Sequence, residues 1–216
     1  MKTNKTYAVF GLGRYGRAVA EELVKNGADV IAVDINEECV NDAAELIPVC
    51  KCADVTEAEV IERLAIGDVD VVVVAMANSL EATVMAITLC KEAGVPMVIA
   101  KCVEEMHGKI FSKVGADKVV FPEREAGARL GKTLSSTGFV DIVELSSDAS
   151  MVELQVKKEW VGKSLVELHL RKKYSINVVA LVNGDEVITN IDPEMPLKSE
   201  MKLVVIADVN KLEKLK

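Results

Sequence analysis

The stretch Tyr7-Ala-Val-Phe-Gly-Leu-Gly-Arg-Tyr-Gly16, followed by Asp29-Val-Ile-Ala-Val-Asp34, reads as strand, glycine turn, helix, strand and acid. That order is a nucleotide-binding βαβ unit at the start of the chain. Gly11 makes the tight turn, Gly13 lets backbone approach a pyrophosphate, and Gly16 lets the helix lie close to the strand. Phosphates then meet unpaired N–H groups at a helix N-terminus, where the macrodipole favours negative charge. Asp34, at the end of the second strand, is placed to accept hydrogen bonds from ribose hydroxyls. A bare G-x-G-x-x-G is weak evidence. Its value here comes from the strand before it, the helix expected over 17–26, and the acid at the right distance.

The alternation continues beyond this unit. Helices are expected over 37–47, 80–93 and 104–114, and another is expected to start on the capping box Thr56-Glu57-Ala58-Glu59. Strands are expected over 49–53, 69–75, 97–102 and 118–121. Six strands alternating with five helices predict an α/β, Rossmann-like, doubly wound parallel sheet over 1–122. Val71-Val-Val-Val74 has the unbroken apolar character of a central strand. Pro122 is expected to stop the sixth strand and lead into a helix over 124–135, within a crossover segment of 123–138. Gly127 and Gly131, four apart, put two small residues on one face of that helix, suited to packing within the chain or against a second copy.

From residue 139 the pattern changes to short strands over 139–145, 151–156, 176–182, 186–189 and 202–207. A second capping box, Ser164-Leu-Val-Glu167, and the turn Asn183-Gly-Asp185 punctuate them. This is a small α+β lobe over 139–216, suited to pairing with its own copy because a domain of this size buries little core alone.

Composition narrows the classes. Half of the 216 residues are hydrophobic and only 4% aromatic, so the core is aliphatic; the net charge of −8 argues against a general nucleic-acid or anionic-membrane surface, which needs a basic stripe. The longest apolar run, 71–77, falls far short of the ~20 residues that span a bilayer, and the first six residues lack the pattern of a signal peptide. A cytoplasmic protein is expected. Five cysteines at 39, 50, 52, 90 and 102 have neither a secreted framework nor zinc spacing, so free thiols are expected.

Several motifs together resemble a known family. They are Gly-Leu-Gly-Arg-Tyr-Gly16, Val-Asp34-Ile-Asn36, Ala-Asp54-Val-Thr, Lys101, and Val-Gly-Ala-Asp-Lys-Val-Val-Phe-Pro-Glu123. With the C-terminal lobe they look like the RCK gating subunits of bacterial potassium uptake, the KtrA/TrkA family, and the likeness covers essentially the whole chain. A single RCK unit with a single C-terminal lobe looks more like the KtrA form. The resemblance implies dimers assembling into an octameric ring at the inner face of the membrane, beneath a K⁺ channel subunit of the KtrB/TrkH kind, opened by ATP and left closed by ADP. It also implies that Gly11, Gly13, Arg14, Tyr15 and Gly16 form the nucleotide loop and that Asp34 and Asn36 hold the ribose and adenine end. Arg14 and Lys101 would meet the phosphates, with Asp54 as a further contact, and Glu123 would coordinate a divalent cation or Na⁺. In the C-terminal lobe Arg171 and Pro193 fall where such proteins bind cyclic di-AMP. Ser175 departs from the pattern, standing where many relatives have glycine.

The residues read alone leave alternatives open. Arg14, a long cation in the glycine turn, suits a phosphate or a solvated surface; Lys101 is equally a surface lysine at a strand end. Asp54 is equally a turn cap before Thr56. A carboxylate such as Glu123 would repel phosphates unless a cation bridges them. The fingerprint does not separate ATP from NAD(H), so an NAD(H)-binding oxidoreductase or an NAD(H)-sensing regulator is the competing reading. Against catalysis, His107 and His169, the two histidines, both fall on expected helices away from the crevice, and no Ser-His-Asp or H-E-x-x-H arrangement occurs. No helix-turn-helix suggests nucleic acid as a partner.

Overall fold

A computed structural model describes residues 5–76, 79–135, 139–146 and 148–208, so the first four residues, Ala77 at the end of the apolar run and 136–138 of the expected crossover lie outside it. The chain forms two compact units, Met1–Arg124 and Glu125–Lys216. In the first, β1 (Thr6–Phe10), α1 (Arg14–Lys25), β2 (Asp29–Asp34), α2 (Glu37–Ala44), β3 (Cys50–Cys52) and α3 (Ala58–Arg63) form one half. Next come β4 (Val71–Val74), α4 (Leu80–Glu92), β5 (Met97–Lys101), α5 (Glu105–Lys113), β6 (Lys118–Val120) and the start of α6 (Pro122–Ser135), whose residues from Glu125 on belong to the second unit. The six strands pair in parallel in the order β3-β2-β1-β4-β5-β6. The order reverses between β1 and β4, the place where open α/β sheets bind ligands.

All four residues of β4 are buried, as expected for a strand covered on both faces. Aliphatic clusters lie on each face: Phe10, Val72, Val74 and Ile87 belong to one, and Val9, Ala32, Val73 and Ile47 to the other. Every cysteine of the chain is a free thiol, and burial pushes Cys90 up to about 12.

Several boundaries differ from expectation for local reasons. The first helix begins at Arg14, not 17, because Gly13 already takes the extended N-cap geometry. Thr56 does not cap α3: its hydroxyl and its N–H donate to Asp54 Oδ1 at 2.7 and 2.9 Å, Glu57 occupies the N-cap, and the helix runs only Ala58–Arg63. Pro122 opens α6, where its missing N–H costs nothing and its fixed φ suits a first turn. A Cβ on Gly127 or Gly131 of α6 would meet open space, so their close packing is not made within the described residues.

The second unit is an antiparallel sheet in the order β10-β9-β11-β8-β7, built from β7 (Phe139–Glu144), β8 (Ala149–Gln155), β9 (Ile176–Asn183), β10 (Glu186–Ile188) and β11 (Lys202–Asp208). Helices α7 (Leu165–Leu168) and α8 (Leu170–Tyr174) join a core of Trp160, Leu181, Leu197, Leu203 and Val205. The Ser164–Glu167 capping box forms as expected. His169 does not sit within a helix: at φ 48° it is the left-handed break between α7 and α8. Ser175 also adopts φ 57°, the region glycine occupies most cheaply, which explains the glycine expected there.

Candidate functional site

Parallel strands deliver their C-terminal ends to one edge of the sheet, and the loops leaving β1, β2, β3, β4 and β5 enclose a cleft of about 1150 Å³ there. Gly11, Gly13, Arg14, Tyr15, Asp34, Asn36, Asp54, Lys101 and Glu123, residues far apart in sequence, all line it. Gly16 lies behind the wall: a Cβ there would stand 1.9 Å from the Gly11 carbonyl oxygen, so α1 can approach β1 only without one. Gly11 needs its φ of 88°, and a Cβ on it would press on Met76 and Ala75 at 3.0 and 3.1 Å. Gly13 is different. A Cβ there would touch no protein atom and would stand in the cleft, which fits the close approach of a bound phosphate. The glycine loop therefore fits a nucleotide.

Asp34 ties that loop to β2. Its Oδ2 accepts from the Leu12 N–H at 2.5 Å and its Oδ1 from the Asn36 N–H at 2.8 Å. A carboxylate has about four acceptor positions, so capacity for ribose hydroxyls remains. Asn36 caps α2, its Oδ1 accepting from the Glu38 N–H at 2.9 Å. Asp54 is held below the usual carboxylate range by the hydroxyl and N–H of Thr56. The turn-forming role is thus realised, on a side chain that also lines the cleft.

Arg14 is the first residue of α1, exposed at the mouth, with no ion pair among the described residues. Lys101, on the same cleft, has its Nζ 2.6 Å from Glu123 Oε1 and 5.6 Å from the centroid of the Tyr15 ring. The lysine side chain is 11% exposed and the glutamate 64%. This pair holds Glu123 below its usual range, chiefly through the Lys101 hydrogen bond. Among the described residues no group of three or more His, Cys, Asp or Glu side chains gathers to hold an ion, and the lysine ammonium already supplies the positive charge beside Glu123.

Sequence reasoning missed the wall formed by Met76, Ser79, Glu81, Ala82 and Met85. The topology could have found it, because the helix after a central parallel strand starts at the ligand edge. Ser79 marks that start, its hydroxyl accepting from the Ala82 N–H at 3.1 Å. In the second unit Arg171 and Pro193 are both exposed. Their carbonyls accept from Ser175 at 3.1 Å and Val166 at 3.1 Å, and no hydrogen bond or ion pair joins the two among the described residues.

Comparison with known proteins agrees with this architecture. A TrkA-N domain matches residues 7–122 and a TrkA-C domain residues 150–216. The chain is 34% identical over 213 residues to Ktr system potassium uptake protein C of Bacillus subtilis (strain 168), covering 97% of this chain and 96% of that one. It is also 34% identical over 213 residues to Ktr system potassium uptake protein A of Vibrio alginolyticus, covering 98% and 97%. Among solved structures, the GsuK channel bound to NAD shares the fold with a TM-score of 0.68 at 18% identity; the match covers 97% of this chain but only 38% of that chain. With two matching domains and near full-length relatives at 34% identity, the chain belongs to the KtrA/TrkA family of RCK proteins.

Proposed function

We propose that this protein is a nucleotide-sensing regulatory subunit that forms a ring and gates a membrane K⁺ uptake channel of the KtrB/TrkH kind in response to ATP and ADP. The observation that carries this reading is the cleft itself. One cavity joins a glycine loop open at Gly13, an acid at the end of β2, and two cations, Arg14 and Lys101. That set suits a ribose at one end and a polyphosphate at the other. In the proposed division of labour, 1–122 senses nucleotide, 123–138 crosses over, and 139–216 pairs with its copy and binds cyclic di-AMP through Arg171 and Pro193. No helix among the described residues is long and apolar enough to cross a membrane, so the proposed place is the cytoplasmic face, held there by the channel partner.

Gating needs differential affinity, since a ligand that binds two ring shapes equally shifts nothing. Arg14, projecting from the mouth, is the group able to reach a terminal phosphate in its own cleft or across a two-fold axis. A divalent cation or Na⁺ at Glu123 would take its remaining oxygens from phosphates and a second copy, since this chain offers one carboxylate there.

One observation favours a second ligand. The cleft continues past the glycine loop along Met76, Ala82 and Met85, an apolar extension suited to a second nucleoside, and the GsuK channel of the same fold binds NAD. An NAD(H)-sensing regulator is therefore the alternative, with no catalytic role assigned to the chain. ATP, ADP and NADH titrated side by side, with the particle mass measured in solution, test both. Adenine nucleotide binding by an octamer, near eight times 23.3 kDa, is the expected result. A monomer indifferent to ATP and ADP would overturn it.

A further inference from the structure

The Lys101–Glu123 contact sits inside the cleft and involves the cation expected to meet phosphate. Its two ends are unequal. Lys101 stands at the end of β5, paired with Val120 in the sheet, its ammonium beside the Tyr15 ring and largely buried. Glu123 is the second residue of α6, mostly exposed, and in contact with the lysine ammonium. The carboxylate is therefore the partner free to swing away, and any anion that takes Lys101 must first displace it.

We infer that Glu123 is a built-in competitor for Lys101: its carboxylate holds the ammonium, and a nucleotide phosphate that takes Lys101 must displace it. This deepens the nucleotide reading and rests on it. The physics is an exchange of one charge-assisted hydrogen bond for another at a poorly hydrated ammonium. Because the carboxylate is near water, displacing it carries a modest cost, too small to block binding. That cost is common to every nucleotide that takes Lys101, so the pair sets how tightly nucleotides bind and leaves the choice between triphosphate and diphosphate to other groups. Displacement also undoes the tie between the end of β5 and the first turn of α6.

This role differs from metal ligation in sign. If Glu123 acted only by holding a cation, removing its charge would weaken ATP binding in the presence of the ion and change nothing in a chelator. As a competitor, its removal tightens anion binding even in EDTA. The test is calorimetric titration of the full chain with ADP and ATP in EDTA, using wild type, Glu123→Gln, Lys101→Gln and the double variant. Glu123→Gln is expected to bind ADP and ATP each about three- to tenfold tighter, as for a partly exposed ion pair, leaving their ratio unchanged. In the Lys101→Gln background the same change should have no effect. This separates competition at Lys101 from a general gain of positive potential. Wild type that binds nucleotide while Glu123→Gln binds equally or more weakly in EDTA overturns the competitor role and leaves the nucleotide reading standing. A gain that persists without Lys101 also overturns it. Failure of all four proteins to bind either nucleotide overturns both.

Discussion

The Asp34 carboxylate accepts the Leu12 N–H at 2.5 Å, and with the Gly11 N–H on the Val33 carbonyl at 2.8 Å this bond fastens the glycine loop to the end of β2. The acid expected to read a ribose therefore also shapes the loop that receives the phosphates. Asp34→Ala leaves the N–H of buried Leu12 without its acceptor, at a cost of about 1–3 kcal/mol, while the exposed Asn36 N–H turns to water. The expected outcome is a lower melting temperature together with loss of nucleotide affinity. Asp34→Asn keeps one oxygen acceptor, enough for the Leu12 N–H but not for both donors, and should recover part of the stability. Unchanged melting in Asp34→Ala would show that the loop holds its shape without the carboxylate.

Gly16 tests how the helix meets the strand. A methyl there would stand 1.9 Å from the Gly11 carbonyl oxygen and 3.0 Å from Ala75 Cβ, so backbone must move. Overpacking against backbone costs about 1–3 kcal/mol or more, and here it also displaces the N-terminus of α1 from the cleft. Gly16→Ala should melt earlier and lose nucleotide binding. At Gly13, where nothing of the protein lies within 4 Å, alanine should spare the fold and impair binding alone. Thermal melts with nucleotide titrations separate the two.

These contrasts explain what the sequence made legible. The parallel order of strands followed from periodicity, because Val71–Val74 and the other strands carry their own apolar signal. Gly11, Gly13, Gly16 and Asp34 were legible because a turn, a close approach and an acid at a strand end each demand particular residues. The limits of α1 and α3 were not, because side-chain bonds such as Thr56 to Asp54 compete with capping and no periodicity reports them. The far wall at Met76 and Met85 was invisible for another reason. Apolar side chains there are indistinguishable in sequence from core, and only the crossover of chain places them at the ligand edge.

Acid should loosen the first unit through Asp117. Its carboxylate accepts from the Val98 N–H at 2.7 Å and pairs with Lys91 at 3.1 Å, fastening the segment before β6 to β5 and α4. These contacts, the Val98 hydrogen bond first, hold Asp117 below the usual carboxylate range. A depressed folded value means that the unfolded chain binds the proton more readily. The contribution is thus complete above the ordinary aspartate range near pH 4 and is lost as pH falls through the lower folded value. In urea titrations from neutral pH downward, Asp117→Asn should start less stable than wild type, and the gap should close in acid. A gap constant across that range would assign the effect to packing instead.

Arg14 carries the prediction closest to gating. It opens α1 at the cleft mouth, exposed and without an ion pair among the described residues, so its removal leaves no buried charge and should not disturb the fold. A hydrogen bond between a guanidinium and a phosphate contributes about 1.5–3 kcal/mol, or roughly ten- to a hundredfold in affinity. If Arg14 meets a terminal phosphate, Arg14→Ala should lose that factor for ATP while ADP binding changes little, bringing the two affinities together. Arg14→Lys keeps the charge but not the two-pronged geometry, and should fall between. Titration of both nucleotides into the three proteins, with melting temperatures as the check on folding, decides the point. Equal weakening of ATP and ADP would move Arg14 to the phosphates the two ligands share, leaving discrimination to other residues of the cleft.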